Sequence, residues 1–354
     1  MPRMLLSQPS SPAPPGSSRV GHSGGICPGV VVLLFALTCA APLPVAAREG
    51  EEAWIGNSRL VRLSREEARQ HLGRADDFTR ALSPFDRASR LERADDPGDQ
   101  VTRQFFAEQA EEWLDEDWQR VVRAADRLRA RLAQLPPLPW PAEIRFITTT
   151  GREEGQAPYC RGPAVILPRP VLGRAPEALE RVLTHELFHI LSNQNPAWRQ
   201  RVYAIIGFVT GPEIPLPPDL QSRKITNPDG PRVDCRVELQ IDGEAVTVAP
   251  VLLSTVERYD PAQGGSFFRY LKFQLLVVEP AGGDRWRPQL RDGKPVLLDP
   301  DKTPAYFVRI GRNTRYIIHP DEILADNFVH LVQDTPKLTH PELLGKLRDA
   351  MLDK

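Results

Sequence analysis

The chain has 354 residues, enough for one large domain or two ordinary ones and for a substantial core. With 41% hydrophobic and 26% charged residues and a formal net charge of -1, it is neither a disordered chain nor one built for a polyanion, so nucleic acid is not expected as a partner. Its 36 prolines, many clustered in PPLPWP and PEIPLPP, speak for rigid extended connections and against long helical arrays.

Residues 1–29 are rich in Ser, Pro and Gly and carry Arg3 and Arg19 but no acid. The apolar run VVVLLFALTC that follows is too short to span a bilayer. Val45, Ala46 and Ala47 then supply the small residues that a signal peptidase needs before its cut. Residues 1–47 therefore read as a signal peptide cleaved near Ala47. The mature chain would begin near Arg48, be periplasmic or secreted, and have no stable membrane insertion. An uncleaved leader that anchors the chain to the membrane is the alternative.

Cleavage removes Cys27 and Cys39 and leaves Cys160 and Cys235. Two cysteines in an exported chain suggest one disulfide, and two buried thiols are the other reading. Neither belongs to a CxxC pair, so a cysteine zinc site or a thioredoxin-like motif has no support.

From residue 48 to about 135 the chain is charged and helical in pattern. In QFFAEQAEEWLDEDWQRVVRAADRLRARLAQL the apolar residues Phe105, Phe106, Trp113, Trp118, Val121, Val122, Leu128 and Leu132 recur at helical spacing, as in one or two amphipathic helices. PPLPWP ends this region. EIRFITTTG and GPAVILPR are β-branched and read as strands. A helix follows, with Pro176 in its first turn and Glu177 and Glu180 near the positive end of its dipole. After a short helix in WRQRVYAIIGF come Pro-rich loops and the turn NPDG. The runs RVELQID, AVTVAPVLL, FFRYLKFQLLVV and YFVRI then read mostly as strands, so residues from about 200 to 316 form a β-rich insertion. Pro320 opens a last helix in HPDEILADNFVHLV, with Leu324, Phe328 and Leu331 on its buried face. The fold class is α+β.

The chemistry concentrates in THELFHIL, residues 184–191. Residues four apart on a helix lie one above the other, so His185 and His189 can reach one ion. Zinc suits such a pair, because it takes imidazole nitrogen at about 2.0–2.1 Å and demands little beyond tetrahedral geometry. Glu186 sits about 100° round the helix from His185, badly placed to share the metal and well placed to take a proton from a water on it. A catalytic zinc needs a third protein ligand. The metzincin continuation would place a glycine and a histidine where this chain has Ser192 and Asn195, which excludes that class. A glutamate on a later helix is the other common solution, and Glu322 fits it. Asp326, four residues on, shares its face and can accept the free ring N–H of a ligand histidine.

HExxH with a downstream ExxxD resembles the thermolysin-like gluzincin zinc metallopeptidases, and the pair HELFH and HPDEILADNF is similar to that of uncharacterised bacterial exported proteins. The resemblance covers two short helices and departs from familiar members in the long β-rich stretch between them. It implies a zincin-like domain over residues 136–354, with the HExxH helix packed on a small sheet, and a peptide or protein substrate. It also implies one zinc ion held by His185, His189 and Glu322, with Glu186 as general base and Asp326 supporting a ligand histidine. Gluzincins place a Tyr or His donor at the oxyanion, for which Tyr316 and His319 are the candidates; a packed tyrosine and a helix-capping histidine are the plainer readings. An exposed strand edge is expected to hold the peptide extended. A non-catalytic zinc-stabilised exported binding protein is the competing function, and the presence of Glu186 speaks against it, since a structural site needs ligands and no base.

Overall fold

The runs EIRFITT and AVILP become neighbouring parallel strands, buried on both faces beyond Arg145. A computed structural model describes residues 53–352. Its first sheet contains β1 (Ala53–Ile55), β2 (Ser58–Arg62), β3 (Glu143–Thr149), β4 (Tyr159–Arg161) and β5 (Ala164–Pro168), in the order β1-β2-β3-β5-β4. Strands β2, β3 and β5 are parallel, while β1 and β4 run antiparallel to their neighbours. Phe146, Val165 and Leu167 face a core shared with Leu183 and Leu187, and Ile147, Ala164 and Ile166 face a second cluster with Leu72, Phe78 and Phe106. Burial on both sides explains why AVILP reads as a continuous apolar run, whereas EIRFITT alternates at its start, where Arg145 is exposed.

The region before residue 135 is not purely helical, as its charge pattern suggested. Its first described residues form the β1–β2 hairpin, closed by Gly56 and Asn57, with Gly56 at φ 56°. That glycine–asparagine pair is a hairpin signal. The amphipathic stretch divides into helices Asp99–Glu108 and Asp115–Leu132 because Ala110, between them, bridges Thr149 at the end of β3. Residues 53–352 belong to one compact unit, and no helix among them is long and apolar enough to cross a membrane. The predicted leader lies outside the described residues.

The β-rich insertion forms a second, antiparallel sheet from β6 (Phe208–Thr210), β7 (Cys235–Ile241), β8 (Glu244–Ser254), β9 (Leu271–Pro280) and β10 (Trp286–Pro288), with Leu297–Leu298 added on β9. Two runs read as strand are corrected. YFVRI lies in the helix Pro304–Ile310, where proline occupies the first turn and Tyr306 and Ile310, four apart, are buried. The start of FFRYLKFQLLVV is a 3-10 turn, Phe267–Arg269, before β9 begins.

The HELFH helix spans Pro176–Gln194 and packs on the helix Asp115–Leu132, on β4 and β5, and on the acidic helix Pro320–Val332. Buried Glu180 fixes it to the first of these, accepting from Arg127 Nε at 2.9 Å and Arg131 Nη1 at 2.7 Å.

A second polar tie joins the two sheets. Arg90, fully buried, donates to Asp86 at 2.5 Å, to Glu154 at 2.7 Å and to the carbonyl of Thr226 at 3.1 Å. Asp86 in turn accepts from the Thr226 N–H at 3.1 Å and its hydroxyl at 2.7 Å. Removing the guanidinium strands two buried carboxylates, so Arg90→Met should lower stability by about 3–5 kcal/mol in urea unfolding; a loss below about 1 kcal/mol would show that the network is not a structural tie.

Candidate metal centre

Helix spacing brings the groups of HELFH to one face, and the crossing of the acidic helix brings a carboxylate to them. Glu322 Oε2 lies 3.0 Å from His185 Nε2 and 3.4 Å from His189 Nε2. Ligand atoms about 2.0–2.1 Å from a tetrahedral ion stand about 3.3 Å apart. Both Glu322 distances are close to that separation, and the three groups form a cluster able to hold a metal ion.

Both imidazoles are oriented from behind. His189 Nδ1 is 2.6 Å from Asp321 Oδ2, and His185 Nδ1 is 3.3 Å from Asp326 Oδ1. Each Nδ1 therefore faces a carboxylate, which assigns it the proton and leaves Nε2 toward Glu322. Asp321 Oδ1 is itself held by Ser192 Oγ at 2.5 Å and Tyr203 Oη at 2.7 Å. Asp326 accepts from the Thr314 hydroxyl and from Arg181 Nη2 at 3.3 Å. His189, Glu186, Glu322 and Asp321 are buried, while the His185 and Asp326 side chains keep 14% and 18% of their exposure.

Burial alone would lower the His185 pKa, but the carboxylates of Asp326 and Glu322 outweigh it and carry the group up to about 9. Burial would likewise lower His189, and the surrounding Asp229, Glu322 and Asp321 carboxylates hold it well above its usual value. Glu322 is driven upward by burial and more strongly downward by the two histidines, so it stays ionised. Glu186 is different. Burial raises its pKa, and the histidines offset only part of the rise. Asp229, packed between His189 and Glu186, is likewise raised well above the usual carboxylate range by burial, so the acids of the centre divide into Glu322 and Asp326, held ionised by the histidines, and Glu186 and Asp229, held toward the neutral form.

Tyr316, a sequence candidate, stacks on His185 with ring centroids 6.0 Å apart and an angle of 21°, and is 41% exposed. His319 does not reach the cluster from its own ring. It is the N-cap of the acidic helix, with Nδ1 accepting from the Asp321 N–H at 3.2 Å and Nε2 3.6 Å from Cys235 Sγ. That acceptor role places the ring proton on Nε2, toward Cys235, within a neighbouring group of Asp234, Cys235 and His319.

Of the two readings of the cysteines, a disulfide is not formed: Cys160 and Cys235 are separate buried thiols. Cys160 Sγ lies 3.4 Å from Glu186 Oε2, whereas Cys235 contacts His319. The expected exposed strand edge is also absent beside the site. The edge strand β4 is buried, and the Cys160 N–H donates to Asp229 Oδ1 at 2.8 Å. Three participants were missed from sequence. Asp321 is adjacent to Glu322 and gave no spacing signal, and Asn227 and Asp229 were visible only as parts of the turn NPDG.

A scan against models of known protein families finds no match, and neither curated proteins nor solved structures yield one.

Removing either supporting carboxylate should weaken metal binding by about 10–100-fold in chelator competition, with Asp321→Ala costing more than Asp326→Ala because it also strands Ser192 and Tyr203. In the wild-type protein the same assay should show affinity rising with pH up to about 9, since the proton on His185 must leave before its nitrogen can bind. Affinity that is flat over that range would contradict the assignment of His185 as a ligand.

Proposed function

We propose that the chain is an exported zinc-dependent peptidase, with a zincin-like domain over residues 136–354 in which His185, His189 and Glu322 hold one zinc ion. The observation that carries this reading is the position of Glu186. It stands on the same helix as both histidines, is buried, and lies outside the His185–His189–Glu322 triangle, in a neighbouring group with Cys160 and Asp229. A metal site with a purely structural role has no use for such an acid.

Zinc in that triangle would supply a Lewis acid for the scissile carbonyl and lower the pKa of a water toward neutrality. The remaining work falls to the chain's own residues. Glu186 accepts from the Cys160 thiol at Oε2, and the rise in its pKa on burial strengthens it as the group that takes a proton from the water and passes it to the leaving amine. Asp321 and Asp326 keep the imidazoles in register while charge develops. Tyr316, stacked on His185, is the donor for the oxyanion, while His319 is committed to its helix cap. With β4 buried, the substrate approaches past His185, Asp326 and Tyr316, the members that retain exposure.

Glu186→Gln keeps the shape of the side chain and cannot accept a proton. Metal content should be unchanged and hydrolysis of an unfolded protein substrate should fall by at least about 100-fold. Metal binding with no hydrolysis in the wild type would instead favour the non-catalytic zinc-stabilised binding protein. Export is tested separately: the N-terminus of the protein recovered outside the cytoplasm should lie near Arg48, and recovery of a cytoplasmic chain beginning at Met1 would contradict it.

A further inference from the structure

The turn Asn227-Pro228-Asp229-Gly230 enters the site from the β-rich insertion, and its residues are held by groups outside the insertion. Asn227 Nδ2 donates to Glu322 Oε1 at 2.7 Å, on the carboxylate oxygen that faces away from the histidines. The other end of the same amide is also fixed, since Asn227 Oδ1 accepts from the Asp229 N–H at 3.2 Å. Only an oxygen can accept that bond, which assigns the amide and turns its NH2 group toward Glu322.

The turn has little freedom to release this contact. Upstream, Thr226 is bound through its N–H and hydroxyl to buried Asp86. In the middle, Asp229 Oδ1 takes the Cys160 N–H of β4. Downstream, Gly230 lies on the face of the His319 ring, where a Cβ would stand 2.5 Å from Cε1 and 2.7 Å from Nε2. A side chain at that position would push the turn off the ring that caps the acidic helix.

We propose that Asn227 is a positioning residue of the metal centre: by occupying Glu322 Oε1 it presents the single oxygen Oε2 to the space between His185 and His189. A free carboxylate can rotate and offer a metal either oxygen or both. One held from behind offers a single oxygen in one orientation and leaves the remaining coordination position open for water or substrate. An aspartate at position 227 would accept the same turn hydrogen bond but would face Glu322 with an acceptor. The inference rests on the reading of the site as a metal centre.

The test is titration of the full chain with cobalt(II), followed by its visible absorption bands, comparing wild type with Asn227→Ala and Asn227→Ser. Serine can still accept the turn hydrogen bond from the Asp229 N–H but is too short to reach Glu322, so it separates the turn from the contact. Both variants should bind cobalt about 10–100-fold more weakly and with shifted bands, while the metal-free Asn227→Ser protein loses less stability in urea unfolding than the lost cobalt affinity amounts to. Wild-type affinity and spectrum in Asn227→Ser would overturn the proposal, because Asn227 would then serve only the turn. A metal-free Asn227→Ser protein destabilised as much as its cobalt affinity is weakened would overturn it as well. If the wild type binds no cobalt, the metal-centre reading itself fails, a result distinguishable from failure of the Asn227 assignment alone.

Discussion

The contact on which the rest of the structure depends is the meeting of one carboxylate oxygen of Glu322 with the Nε2 atoms of His185 and His189, at 3.0 and 3.4 Å, between two helices that cross in the core. Groups of this kind are costly to bury. They remain here because each has a second partner behind it: Asp326 for His185, Asp321 for His189 and Asn227 for Glu322. The polar atoms around the cluster form a continuous shell, anchored by Ser192, Tyr203 and Thr314.

That shell explains the long interval between the two helices. Glu322 lies 322 − 189 = 133 residues after His189, and loop-closure entropy rises only as the logarithm of such a length. The insertion is also more than a connection. It folds as its own antiparallel sheet and returns Asn227 and Asp229 to the centre, with the Arg90–Asp86–Thr226 network fixing the point of return. The same turn covers the buried edge strand β4, so the sheet does not offer a free edge at the site.

Much of the centre was legible in the sequence because helix periodicity is local. The i, i+4 spacing of His185 and His189, and that of Glu322 and Asp326, fixes which side chains share a face before any tertiary contact forms. Asp321 was not legible. It is one residue from Glu322 and about 100° away round the helix, and only the crossing of the two helices decides that it meets His189. NPDG was recognisable as a turn from its proline and glycine, but where its side chains point depends on groups far away in sequence. Among the elements, the β-branched and aromatic content of YFVRI misled where Pro304 opens a helix, and the charge of the region before residue 135 hid a hairpin marked by Gly56 and Asn57. The two cysteines gave no geometry at all, and their separation into two environments follows from the fold.

X-ray absorption at the zinc edge of the loaded protein tests the central claim most directly, because it reads the donor atoms themselves. The account predicts two imidazole nitrogens and carboxylate or water oxygens at about 2.0–2.2 Å, with no sulfur in the first shell. A sulfur scatterer at about 2.3 Å would place the metal on Cys160 or Cys235 and contradict the assignment of His185, His189 and Glu322.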